Sequence, residues 1–267
     1  MIVCPLFSGS SGNATYVEHG ATRILVDCGG SGKQVENALR AIDVDPRGLS
    51  AIVVTHAHDD HVRGVGVLSR RYDLPVYASI GAWDEMTRRN KIGTVKTKNI
   101  RVFQSEKTSE ELDLGDLSAR YFSTPHDADD SVGYVFSDGK TTFGFATDVG
   151  CVTASLRSAL LGVDAALLEA NYDVEMLWGG PYPEDLKARI ASKRGHLSNV
   201  DAGAFAVELV KSGAKTLILG HLSEHNNTPF IAQCTATDAL VDGGIRPQED
   251  CVLEVARRYE PSCRLEL

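Results

Sequence analysis

Three histidines and two aspartates fall within six residues in His56-Ala57-His58-Asp59-Asp60-His61, directly after the apolar, β-branched run Ile52-Val53-Val54. A buried strand that stops at so many ligand-type side chains reads as the edge of a metal site. Every second side chain of an extended segment points the same way, so His56 and His58 can grip one ion while the adjacent Asp60 and His61 diverge. The spacing therefore suggests two metals. Imidazole and carboxylate together suit zinc, manganese or iron, and the absence of thiolate argues against a closed structural zinc site. The competing reading is a solvated loop next to an N-cap aspartate.

The surrounding pattern alternates strands with helices. Strands are predicted at Ile2 to Phe7, Tyr16 to Glu18 and Arg23 to Cys28, the first two joined by the glycine and serine turn Ser8 to Asn13. A helix over Val35 to Ile42 precedes the strand at Ile52, and after His61 come a helix (Gly64 to Tyr72), a strand (Pro75 to Ala78) and a helix (Gly81 to Asn90). Strands follow at Ile100 to Gln104, Ser118 to Tyr121, Val132 to Phe136 and Thr141 to Ala146, with Asp138-Gly139 as a hairpin turn. The second half continues with a helix (Ala154 to Leu161), a strand (Asp164 to Glu169) and helices over Pro183 to Ser192 and Asp201 to Lys211. Next are a strand (Thr216 to Leu219), a helix from Phe230 to Leu240 started by Thr228 and Pro229, and a strand (Cys251 to Ala256).

Other titratable residues sit just beyond such strands: Asp27, His126, Asp148 and His221. Asp27 is either a turn aspartate or a support for the metal loop. Seven of the eight histidines (His56, His58, His61, His126, His196, His221 and His225) fall in strand-end loops, a clustering not expected of independent surface histidines. His196, in Arg194-Gly195-His196-Leu197-Ser198-Asn199, is either a proton donor or a histidine leading into a helix capped by Ser198 or Asn199. The stretch Arg88 to Arg101 holds six basic and no acidic residues, and reads either as a solvated surface or as a phosphate-contact strip.

With Thr55 in front, the histidine stretch resembles the Thr-His-x-His-x-Asp-His signature of the metallo-β-lactamase superfamily. The resemblance implies an α/β (α+β) fold, a four-layer αββα sandwich, in a single domain over residues 1–267. It also implies that His56, His58 and His126 hold one divalent ion, that Asp60, His61 and His221 hold the second, and that Asp148 bridges them. Two ions about 3.5–4 Å apart would activate a bridging hydroxide and neutralise charge on substrate oxygens, so the implied reaction is hydrolysis, with Asp60 orienting the nucleophile. Ser8 to Asn13, Thr124 to Ala128 with Ser131 to Tyr134, Leu168 to Asp173, Gly195 to Asn199, and His221 to Ser223 with Asn226 to Pro229 together resemble the YycJ/WalJ branch. That branch implies 5′-to-3′ exonuclease action on duplex DNA, with His196 as a catalytic acid. Asp27, Arg194, Ser198, Asn199, Asn226 and Asn227 would support the ligands or touch substrate. Tyr172 departs from the histidine of many relatives.

The formal charge of −9 over 267 residues opposes a protein that coats nucleic acid through bulk electrostatics, although a local basic patch can still bind phosphates. The scattered cysteines contain no Cys-x-x-Cys pair and no apolar run approaches membrane-spanning length, so the chain reads as a soluble, cytoplasmic protein with reduced thiols. The expected partner is nucleic acid, in particular DNA ends, and the expected cofactors are two divalent ions, manganese or zinc, with iron also compatible. The alternative is a metal-dependent hydrolase of a small phosphodiester, thioester or lactone. Diiron redox chemistry is disfavoured because His58 stands where flavodiiron relatives usually carry glutamate. Too few residues separate Asp148 from His221 for the large inserted domain of RNase J-type nucleases.

Overall fold

A computed structural model describes residues 1–106 and 110–267. Its first half runs β1 (Ile2–Gly9), β2 (Gly12–His19), β3 (Thr22–Val26), α1 (Gly32–Ala41), β4 (Ala51–Val53), α2 (Asp59–Val62), α3 (Val65–Tyr72), β5 (Val76–Ser79), α4 (Ile80–Arg88) and β6 (Ile100–Phe103). The second half runs β7 (Glu111–Asp113), β8 (Ser118–Ser123), β9 (Val132–Ser137), β10 (Thr142–Ala146), α5 (Ala154–Leu160), β11 (Ala165–Glu169), α6 (Val174–Gly179) and α7 (Glu184–Ile190). It ends with α8 (Asn199–Ser212), β12 (Thr216–Gly220), α9 (Pro229–Asp242), β13 (Val252–Val255) and β14 (Leu265–Glu266).

The described strands form two sheets, ordered β14-β1-β2-β3-β4-β5-β6 and β13-β12-β11-β10-β9-β8-β7. Each half repeats one plan, an antiparallel meander that turns parallel at β3–β4 or at β10–β11. Period-2 alternation sorts the side chains into layers. Ile24 and Val26 face the second sheet, packing with Tyr134, Phe143 and Ile218, while Leu25 between them faces α1 and α3. The outer face of the second sheet is covered in the same way by α5, α8 and α9 through Leu156, Phe205 and Ala236. The result is the expected αββα sandwich, with a core between the sheets and one under each helical layer. No helix among the described residues is long and apolar enough to cross a membrane.

Local signals set the element boundaries. Ser31 caps α1 with a reciprocal capping box to Gln34; Thr228 caps α9 with Pro229 in its first turn, the start that the sequence predicts. Four elements go beyond the sequence reading. β7 is a three-residue edge strand of sequence Glu-Leu-Asp without an apolar run, and α2 and α6 are single-turn helices too short to show a period. β14 is a strand only because Glu266 and Leu265 find Ile2 and Val3 on the edge of the first sheet.

Candidate metal centre

The parallel strands all deliver their C-terminal ends to one rim, where a crevice forms outside the sheets. Asp27 follows β3, His56 follows β4, Asp148 follows β10, Glu169 ends β11 and His221 follows β12. Three of these, Asp27, Asp148 and His221, have left-handed backbones with φ of 60°, 56° and 56°. Such conformations are strained for residues other than glycine, least so for Asp, Asn and His, and they turn the side chain back across the strand end.

His56, His58 and His126 form a nearly equilateral set, with ring centroids 4.7, 5.0 and 5.0 Å apart. Asp60, His61 and His221 form a second set, with Asp60 Oδ2 at 3.6 Å from His61 Nε2 and 3.7 Å from His221 Nε2. Asp148 lies between them. Its Oδ1 is 3.4 Å from His126 Nε2 and 3.7 Å from His221 Nε2, and its Oδ2 is 3.2 Å from His61 Nε2. The expectation that Asp60 and His61 diverge, drawn for an extended chain, is corrected: the chain turns into α2 at Asp59, and this helical turn brings both residues into the second set.

The donors fit divalent cations. His56 Nε2, His221 Nε2 and Asp148 Oδ2 are buried without hydrogen-bond partners among the described residues. Buried polar atoms left unpaired cost about 1–3 kcal/mol each, and a cation among these nitrogen and oxygen donors would remove that penalty. Burial and the neighbouring His61 and His126 push His56 well down and His58 down, toward the neutral imidazole that binds metal. For His61, burial is outweighed by Asp148, Asp27 and Asp60, which hold it well above its usual range; a cation at these donors would compete with that proton. Burial alone would raise Asp148, but His221, His61 and His56 keep it well below the ordinary carboxylate value.

Behind the donors stands a hydrogen-bonded frame. Asp27, fully buried, accepts from Thr55 N (2.8 Å) and Thr55 Oγ1 (2.8 Å), and its Oδ2 lies 2.7 Å from His61 Nδ1. This is the supporting position, not merely a turn. Glu169, also fully buried, places Oε1 2.7 Å from both His196 Nδ1 and His221 Nδ1, while Oε2 accepts from Val149 N (2.6 Å) and Leu197 N (3.3 Å). One carboxylate thus ties together the loops of Asp148, His196 and His221. The sequence reading missed it, although an acid ending the buried strand Ala165-Ala166-Leu167-Leu168 carries the same signal as Asp27 and Asp148. It also missed Asn13, whose Nδ2 lies 3.1 Å from His61 Nε2, and Lys91, whose Nζ donates to Ala57 O (2.7 Å) inside the histidine loop.

The remaining expected residues separate into two kinds. His196 belongs to the cluster's edge: Nδ1 faces Glu169, the ring is 5.2 Å from His126 and 5.3 Å from His221, and the side chain opens on a cleft with Ser10, Asp127, Tyr182 and Arg189. Burial opposes a proton there, but Glu169 and then Asp148 raise the imidazole above its usual range. Arg194 instead donates twice to His126 O, at 3.1 and 3.0 Å, bracing that loop. Ser198 caps α8, Asn199 and Asn227 bond to each other, and Asn226 N bonds Ser223 Oγ, so these four serve the frame. Tyr172 is buried and pairs through its backbone with Asn199 N, and His225 packs on Tyr182 and joins none of the donor groups. In the basic stretch, Lys96 and Lys98 are paired with Asp73, Arg88 with Asp129 and Arg89 with Glu85, so the strip is largely neutralised by its own surface.

Comparison with known proteins agrees with this architecture. Residues 22–222 match the family model described as the beta-lactamase superfamily domain. The chain is 37% identical over 240 residues to the exodeoxyribonuclease WalJ of Streptococcus pneumoniae, covering 90% of this chain and 88% of that protein. It is 36% identical over 239 residues to the exodeoxyribonuclease YycJ of Bacillus anthracis, covering 90% and 89%. Among solved structures, the metallo-β-lactamase fold protein YhfI of Bacillus subtilis superposes with a TM-score of 0.73 at 18% identity, over 98% of this chain and 100% of that one. The fold, the donor cluster and these alignments together mean that the chain belongs to the metallo-β-lactamase superfamily, in its WalJ/YycJ branch.

Proposed function

We propose that this protein is a cytoplasmic, metal-dependent exodeoxyribonuclease that degrades duplex DNA from 5′ ends. The observation that carries the reading is His196, held at 2.7 Å by Glu169 on the rim of a seven-donor cluster, in a chain that aligns over 90% of its length with exodeoxyribonucleases. His56, His58 and His126 would hold one divalent ion and Asp60, His61 and His221 the other, with Asp148 shared; manganese or zinc suits these donors. Bound there, the ions supply Lewis acidity toward water and the phosphoryl oxygens. The side chains do the rest. Asp60, on α2 and partly exposed, orients the attacking water. His196, its Nδ1 committed to Glu169, directs Nε2 to the cleft and gives a proton to the leaving oxygen of the phosphodiester.

End-labelled DNA and RNA, as duplexes and single strands, should be incubated with the protein and a panel of divalent metals. The expected outcome is stepwise loss of nucleotides from 5′-phosphorylated duplex DNA with manganese, and none with Asp148→Asn. Hydrolysis of small phosphodiesters or thioesters with nucleic-acid ends left intact would replace this reading by that of a small-ester hydrolase.

A further inference from the structure

The turn Ser10-Ser11 between β1 and β2 separates two cavities. Ser10 lines the cleft at His196, whereas Ser11 and Gly12 line a second cavity of about 480 Å³, a size typical of ligand sites. Phe7 and the Gln34 to Ala41 face of α1 form one side of it. The opposite side is Arg258 and Tyr259, from the segment after β13, and Arg63 closes the end beyond α2.

Two guanidinium groups line this cavity. Arg63 is exposed, and its side chain makes no hydrogen bond or ion pair with any described residue. Arg258 donates Nη2 to Ser223 O at 2.8 Å, but its Nη1 is buried with no partner. That nitrogen packs against Gly9 with no open surface, so Arg258 adds positive charge to the cavity wall, and the exposed Arg63 guanidinium is the donor that a phosphate can reach. Beside it the Tyr259 ring is 68% exposed, yet its hydroxyl is fixed by Glu224 Oε1 at 2.9 Å and Arg258 Cζ lies 5.9 Å from its centroid. An aromatic face held in place in a cavity with one free guanidinium matches a base and its phosphate. The acid in the lining, Glu260, is engaged by Arg257 at 3.0 Å.

The position connects this cavity with the metal centre. Gly12 lines the cavity and the next residue, Asn13, places Nδ2 3.1 Å from His61 Nε2, while Ser223, which Arg258 holds, lines the His196 cleft. We infer that this cavity is a nucleotide subsite, which takes a backbone phosphate of the bound strand on Arg63 and stacks its base on Tyr259. The inference rests on the nuclease reading above and deepens it. It also answers how a chain of formal charge −9 grips DNA, through a local subsite rather than through its overall field.

The test uses Arg63→Gln with Tyr259→Ala, both exposed positions outside the metal cluster. A short 5′-phosphorylated, 3′-fluorescein oligonucleotide is titrated in the presence of chelator, so that binding is read without turnover. The double variant should bind about tenfold more weakly, and Arg63→Gln alone should reduce the salt slope of binding by about 0.7. With metal restored, hydrolysis of bis(p-nitrophenyl) phosphate should stay within about twofold of wild type, because that substrate is too short to reach the subsite. Oligonucleotide binding equal to wild type, or equal losses on both substrates, would overturn the inference. If the wild-type protein degrades DNA while the variants bind normally, only the subsite is wrong. If the wild type hydrolyses the small diester but neither binds nor degrades DNA, both readings fall.

Discussion

The two donor sets differ in what stands behind them. In the set of Asp60, His61 and His221, each imidazole has a fully buried carboxylate at 2.7 Å from Nδ1, Asp27 for His61 and Glu169 for His221. In the set of His56, His58 and His126 the Nδ1 partners of His56 and His126 are neutral, Thr55 Oγ1 at 3.0 Å and Gly195 O at 3.0 Å. The His58 side chain is 28% exposed and faces Asp127 only at 3.8 Å. A carboxylate behind an imidazole fixes its orientation and raises its basicity as a ligand. The second set should therefore hold its ion tightly, and the first should exchange its ion and face the incoming substrate.

The change that reaches both sets tests the comparison most severely. Asp148→Asn should lower kcat by about 10⁴-fold or more and reduce the metal content of both sets, measured by elemental analysis of the purified protein. His196→Ala should lower kcat by about 10²–10³-fold while both ions are retained; loss of metal would make His196 a ligand and erase its separation from the two sets. Asp27→Asn and Glu169→Gln should weaken the tighter ion by about 10–100-fold, seen as merging of two steps in a chelator titration. Were the weaker step the one that moved, the assignment of tight and loose sets would be reversed. The smallest effect is expected from Lys91→Met, which frees the Ala57 carbonyl within the first set. Unfolding in urea should show a loss of about 1–2 kcal/mol, with kcat changed by less than about threefold.

The same asymmetry explains what could be read in the sequence. Two of the three residues of each set, His56 and His58 and then Asp60 and His61, stand in one contiguous stretch, where spacing alone announces metal chemistry. Asp148 and His221 could be found because an ionisable residue directly after an apolar strand is unusual. Glu169 gave that signal too, but at the last position of its strand rather than beyond it, where an acid reads as the edge of a loop. Lys91 and Asn13 could not be read, because their roles come from loops that meet only once the strands of the first sheet have assembled. The sandwich followed from the family signature, and the strand pattern agreed with it. β14 lay beyond local reading, since a two-residue strand is defined by its partner rather than by its own residues. The divergence expected of Asp60 and His61 failed for a related reason, as one turn of helix leaves no period to detect.

The left-handed backbone at Asp27, Asp148 and His221 also limits what sequences can occupy these positions. Each holds a conformation that β-branched and bulky side chains resist and that glycine, asparagine and aspartate tolerate. Libraries randomised there should be filtered first by backbone geometry and only then by chemistry, so survivors will be drawn from a short alphabet. A search for stabilised variants will meet glycine at the same three places, relaxing the strand ends while deleting the groups that face the cleft. Improved scaffolds selected for heat resistance alone should therefore drift toward folded but inert proteins.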